Sequence, residues 1–79
     1  MSPTVLRYKV YRFFFFSREE ERVHIHVIHS DGEAKIWLEP EIALHSYYGL
    51  SSRQVKEIIN IVTENRDEIT ESWNHHFRQ

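Results

Sequence analysis

Seventy-nine residues without a cysteine make a single domain spanning 1–79. That is near the lower size at which a hydrophobic core alone holds a fold, and it excludes disulfides and thiolate metal sites. Ten basic and twelve acidic residues give a net charge of −2, which excludes a globally basic nucleic-acid binder. The cations gather up to Arg22 and the acids predominate from Glu33 onward, so a local basic patch on the first strands stays open.

Thr4 to Tyr8 and Tyr11 to Phe16 are rich in β-branched and aromatic residues and predict two strands. Lys9-Val10 joins them, although neither residue favours the positive φ of a two-residue hairpin turn. The run Phe13-Phe14-Phe15-Phe16, between Arg12 and Arg18, is far too short to cross a bilayer. With no signal-peptide pattern, a cytoplasmic chain without a membrane partner is expected. Ser17 to Arg22 reads as a charged loop.

Val23 to Ile28 and Glu33 to Leu38 predict the third and fourth strands. Asp31-Gly32 is a strong two-residue turn signal. Taken as the loop, it sets Ser30 opposite Glu33, Val27 opposite Ile36 and Ile25 opposite Leu38. The same register sets His26 opposite Trp37, Ile28 opposite Lys35 and His24 opposite Glu39. One face is then wholly apolar and the other polar and aromatic, whereas a one-residue slip would mix them. Pro40 lacks a backbone donor and ends the fourth strand or forces a bulge.

Glu41 to His45 is expected to form a fifth, edge strand, with Tyr47-Tyr48-Gly49-Leu50 as a connection. Ser51 with Gln54 three residues on makes a capping box. Val55, Ile58, Ile59, Val62, Ile69, Trp73 and Phe77 then recur at helical spacing. The polar stretch 63–68 interrupts this stripe, so either one long helix runs from about Ser52 to Phe77 or two helices meet near Asn65; with no Gly or Pro there, one long C-terminal helix, continuous or gently kinked, is expected. The fold class is α+β: a small antiparallel sheet of four to five strands with that helix packed on one face.

Tyr11-Arg12-Phe13-Phe14-Phe15-Phe16-Ser17, His24-Ile25-His26-Val27, Gly32 to Pro40, and Glu64-Asn65-Arg66 followed by Trp73-Asn74 and Phe77 together resemble a family of small bacterial and archaeal proteins, domain of unknown function 4160. The resemblance covers nearly the whole chain. It departs where family members commonly carry prolines before the first histidine and a glycine at the place of Val10. It implies a protein often encoded beside another small protein, an arrangement suggested to be a toxin–antitoxin module.

Three chemistries fit the polar face. His24 and His26, two apart on a strand, project from the same side, as ligands in β-built metal sites do; Glu39 could be a third ligand and His45 or Glu33 a fourth, but neither is fixed and no cofactor is called for. The same pair could serve as acid and base for metal-independent RNA cleavage. Lys35 or Arg22 would then hold the phosphate, Glu39 would orient His24, and Trp37 or Phe15 would stack a base, making RNA a candidate partner. Alternation also leaves two phenylalanines, taken as Phe13 and Phe15, with Trp37 on the face away from the helix. Such an aromatic cluster marks a protein interface, with a second copy or the neighbouring gene's product as partner. The leading expectation is an interaction protein, toxin-like, acting through the His24/His26/Lys35/Trp37 face.

Overall fold

A computed structural model describes residues 4–8, 10–15 and 22–77. The predicted end of the second strand at Phe16 and most of the charged loop that follows lie outside the described residues. Five strands, β1 (Thr4–Tyr8), β2 (Tyr11–Phe14), β3 (His24–His29), β4 (Gly32–Trp37) and β5 (Ala43–Tyr48), are followed by α1 (Ser52–Glu64) and α2 (Arg66–Phe77). The strands form one antiparallel sheet in the order β1-β2-β3-β4-β5. The α+β class is as the sequence predicts, with the fifth strand present. That strand starts at Ala43, not Glu41, and takes in Tyr47 and Tyr48, which the sequence pattern places in a connection.

The β3–β4 register differs from the expected one. His24 lies opposite Trp37, Ile25 opposite Ile36, His26 opposite Lys35, Val27 opposite Ala34, and His29 opposite Gly32. Ser30-Asp31, not Asp31-Gly32, forms the turn. The pairing has moved by two positions, so each residue keeps its face even though it changes partner. The reason lies next door: a Cβ on Gly32 would sit 1.9 Å from the Tyr48 carbonyl oxygen. Gly32 is therefore spent on a close backbone approach to β5, not on the turn.

One face of the sheet is the core. Tyr11, Phe13, Ile25, Val27, Ala34 and Ile36 alternate along β2, β3 and β4, and Phe15, Val23 and Leu38 extend the cluster at the strand ends. Leu50, Ile58, Ile61 and Val62 meet them from the α1 segment, and Ile69 and Trp73 from α2. Each such side chain contributes roughly 1.5–3 kcal/mol when fully buried. The placement corrects the expectation for Phe13 and Phe15. Both are inside, 0% and 1% exposed, and it is Phe14 that turns to the opposite face.

The single long helix is also corrected: two helices meet at Asn65. The Ser51–Gln54 capping box starts α1 as predicted, with Ser51 Oγ accepting from the Gln54 backbone and Gln54 Oε1 from the Ser51 backbone. Thirteen residues later Asn65 leaves helical geometry at φ −113°, ψ 19°. Its side chain donates to the Ile61 carbonyl at 2.8 Å while its own carbonyl accepts from the Ile69 N–H at 3.0 Å. An asparagine side chain that competes for ladder carbonyls ends a helix without Gly or Pro. The new direction lets Arg66 donate to the Leu38 carbonyl and brings Trp73 onto the sheet.

Tyr11 ties the sheet to α1. Its hydroxyl donates to Glu57 Oε1 at 2.9 Å. Burial, the bond to Glu57 and the nearby Glu57 and Asp31 carboxylates all disfavour tyrosinate and push its pKa up to about 12. A folded-state pKa above the unfolded value gives stability that is fully present below pH 10 and lost as pH rises towards 12. An absorbance titration of tyrosinate is expected to show a component with a midpoint near 12 that Tyr11→Phe abolishes. Stability should fall more gently with alkalinity in that variant than in the parent chain.

Candidate functional site: the outer face of the sheet

The strand pairings lay three rows of side chains across the face that the helices leave open. Arg12, Ile28, Glu33 and Tyr48 form the first, Phe14, His26, Lys35 and Ser46 the second, and His24, Trp37 and Ala43 the third. Arg7, opposite Arg12, extends the first row onto β1. A β-bulge on β5 sits between Ser46 and Leu44. It leaves His45 as the extra residue, its ring 5.1 Å from that of Trp37 and nearly perpendicular to it.

Trp37 is the hub. The Arg22 guanidinium lies 4.0 Å from the centre of the indole ring and the Lys35 ammonium 4.7 Å. Both are within the range in which the ring quadrupole attracts a cation. Arg22 is fixed further by donating from Nε to the Glu39 carbonyl at 2.7 Å. A second cation–ring pair stands one row over, with Arg12 5.1 Å from the Phe14 ring centre and its Nε bonded to Thr4 Oγ1 at 2.7 Å. Phe14 in turn stacks on His26, ring centres 5.7 Å apart. Arg12, Arg22 and Lys35 are thus each held against an aromatic plane, and the first two also by a hydrogen bond.

The two histidines of the His-x-His motif have different surroundings. His26 is half-buried in the second row. His24 is 0% exposed and edge-on to Trp37, His26 and Trp73, at 5.6, 5.1 and 5.0 Å. Its Nδ1 lies 2.7 Å from the Arg22 carbonyl. A carbonyl only accepts, so Nδ1 carries the proton and the neutral ring is the Nδ1–H tautomer. His24 therefore reaches no bulk solvent and serves as the joint between this face and α2. The place opposite it, expected for Glu39, belongs to Trp37. Glu39 lies past the last β3–β4 pair, where its backbone carbonyl anchors Arg22.

Of the residues singled out from the sequence, the structure brings His24, His26, Lys35, Trp37 and Arg22 together and removes Phe13 and Phe15 to the core. It adds Arg12 and Phe14, and it sets His45, one of the possible further ligands, against Trp37. The signal for Phe14 was available. In a run of four phenylalanines hydrophobicity cannot tell the faces apart, but Arg12 shares parity with Phe14 and marks the polar side. The contact of His45 with Trp37 had no signal, because the bulge that turns it there leaves no trace in the pattern. A recess of about 300 Å³ opens beside β5, lined by Phe14, His26, Lys35, Ser46, Tyr47 and Tyr48 among others. Among the described residues no group of three or more His, Asp or Glu is arranged to hold a metal ion. Among the same residues no helix is long and apolar enough to cross a membrane.

The chain matches the family described as domain of unknown function (DUF4160) over residues 11–74, and it belongs to that family. The match begins at β2 and ends in α2, so it takes in every residue of the outer face except those that β1 contributes. No curated protein and no solved structure matches the chain.

Proposed function

We propose that this member of the DUF4160 family is a protein-interaction module that docks an acidic segment of a partner protein on the Arg12/Arg22/Lys35/Trp37 face. The observation that carries the proposal is that the cations are positioned in advance. Arg22 and Lys35 flank Trp37, and Arg12 lies against Phe14. A flexible basic side chain costs roughly 0.5–1.5 kcal/mol to order on binding, and a side chain already held on a ring escapes most of that cost. Among the described residues of the paired strands and the Trp37 cluster, Arg7, Arg12, Arg22 and Lys35 stand on this face with Glu33. The local balance therefore suits carboxylates although the whole chain is acidic.

The choice of a protein over RNA follows from the rings. Base stacking needs an open aromatic face, and here Arg22 and Lys35 occupy the approaches to Trp37 while His26 and Arg12 pack on Phe14. An acid–base pair built on His24 and His26 is also less favoured, since His24 is fully buried. The two-protein, toxin–antitoxin-type arrangement expected from the sequence would supply such a partner, with this chain as one component.

The test uses poly-glutamate peptide and a single-stranded oligoribonucleotide as probes, read by tryptophan fluorescence. The peptide is expected to bind, to shift the emission of half-exposed Trp37, and to release as salt rises. The Arg22→Glu/Lys35→Glu pair should weaken it by about 100-fold, near tenfold per reversed charge. Oligoribonucleotide binding that is tighter than peptide binding, or peptide affinity indifferent to the double reversal, would sink the proposal.

A further inference from the structure

β5 ends the sheet with a free edge of unusual composition. Its six residues, Ala43-Leu44-His45-Ser46-Tyr47-Tyr48, include no Lys, Arg, Asp, Glu or Pro. Leu44, Tyr47 and Tyr48 are 37%, 52% and 76% exposed. Edge strands normally carry charges or proline that discourage pairing with another chain. β1, the opposite edge, carries Arg7 and is only five residues long. Among the described residues, no strand pairs with the outer side of β5.

We propose that β5 pairs antiparallel with β5 of a second copy of this chain, giving a twofold dimer with a continuous ten-stranded sheet. Charge selects the occupant. A twofold axis sets the residues beside it next to their own copies, so a charge there would repel itself and an uncharged strand does not. β5 has no Lys, Arg, Asp or Glu to set beside that axis, whereas an axis at Arg7 of β1 would place that cation beside its twin. A twofold axis perpendicular to the sheet keeps both sets of helices on one side and both outer faces on the other. The partner strand then lies about 4.8 Å from β5, and its tyrosines supply a further wall to the recess lined by Lys35, Ser46, Tyr47 and Tyr48. The bulge at His45 confines regular pairing to the part of the strand that includes Tyr47 and Tyr48.

A pairing of this length is a small interface, with a dissociation constant expected near 10 μM. Sedimentation equilibrium of the full chain should therefore show the mass rising with concentration from 9.6 kDa to twice that value. Tyr48→Lys, at the most exposed position, should weaken association at least tenfold with the circular dichroism of the fold unchanged. Tyr48→Glu should do the same, and mixing the two variants should restore association. Tyr47→Pro, which removes a donor from the outer edge of β5, serves as a second blocking variant: with its thermal transition retained it should be monomeric at concentrations where the parent chain dimerises. A chain still monomeric at about 500 μM, or a dimer indifferent to Tyr48→Lys and its mixing with Tyr48→Glu, would overturn the proposal.

Discussion

Trp73→Ala is expected to leave the domain largely unfolded at 37 °C. Trp73 is 1% exposed and its ring meets three others, Phe77 at 4.3 Å, His24 at 5.0 Å and Phe15 at 5.3 Å. Truncating a buried tryptophan costs about 3–5 kcal/mol through lost transfer energy and the cavity left behind. A chain of this size has about 4–12 kcal/mol of total stability, so a loss of that size removes much or all of it. Two features make relaxation around the cavity difficult. Ile69 is the other fully buried side chain of α2, so the helix would keep little to hold it on the sheet. His24 would lose one of its aromatic walls while its Nδ1 stays tied to the Arg22 carbonyl. Urea denaturation followed by circular dichroism checks this; Trp73→Phe should recover part of the loss by refilling the ring contacts. A Trp73→Ala protein less than about 1 kcal/mol weaker than its parent would mean that α2 is not held by this side chain.

Gly32→Ala and Gly49→Ala are the second pair, each expected to cost about 2–4 kcal/mol. The β3–β4 turn and the β5–α1 connection touch backbone to backbone. A Cβ on Gly32 would lie 1.9 Å from the Tyr48 carbonyl oxygen, and one on Gly49 would lie 2.2 Å from the Asp31 carbonyl oxygen. Neither obstacle is a side chain that could swing away. Gly49 also sits at φ +76°, where a side chain adds strain of its own. The junction is clasped from outside by Gln54, which donates from Nε2 to Asp31 Oδ2 at 2.9 Å, and by the Asp31 N–H donating to His29 Nδ1. Thermal denaturation gives the size of the loss. Hydrogen exchange gives its place: protection should fall first at the β3–β4 turn and at the start of α1. Wild-type stability in Gly32→Ala would show that the two segments do not need this approach.

The faces of the sheet were legible in the sequence because parity survives errors of register. The expected His26–Trp37 and the observed His26–Lys35 pairings differ, yet each puts His26, Lys35 and Trp37 on one side. What parity cannot supply is depth. His24 and His26 look equivalent on a strand, and only the return of α2 across the strand end buries one of them. That return begins at Asn65, where absence of Gly and Pro suggested continuity. The competing bond from the asparagine side chain to Ile61 is a local preference that hydrophobic spacing does not register. The phenylalanine run misled for the opposite reason: uniform hydrophobicity on both faces erased the contrast that parity needs, and Arg12 was the only residue nearby to restore it. The extent of β5 was missed because Tyr47-Tyr48-Gly49 reads as a turn until Gly49 alone is seen to make it.

The neighbour-to-neighbour strand order has a consequence for synthesis. Every strand pairs with the one before it in sequence, so each hairpin can close as soon as it leaves the ribosome, on a timescale of microseconds. The side chains that cover the sheet arrive afterwards, from the Leu50 connection and the two helices that follow it. At about 5–20 residues per second those helices take roughly 1–5 s to be made. Through that interval Phe13, Ile25, Val27 and Ile36 are bare on a finished sheet. The nascent chain is thus most exposed to aggregation between the closing of β5 and the docking of α2, and truncation within α1 or α2 is the lesion the sheet would tolerate least.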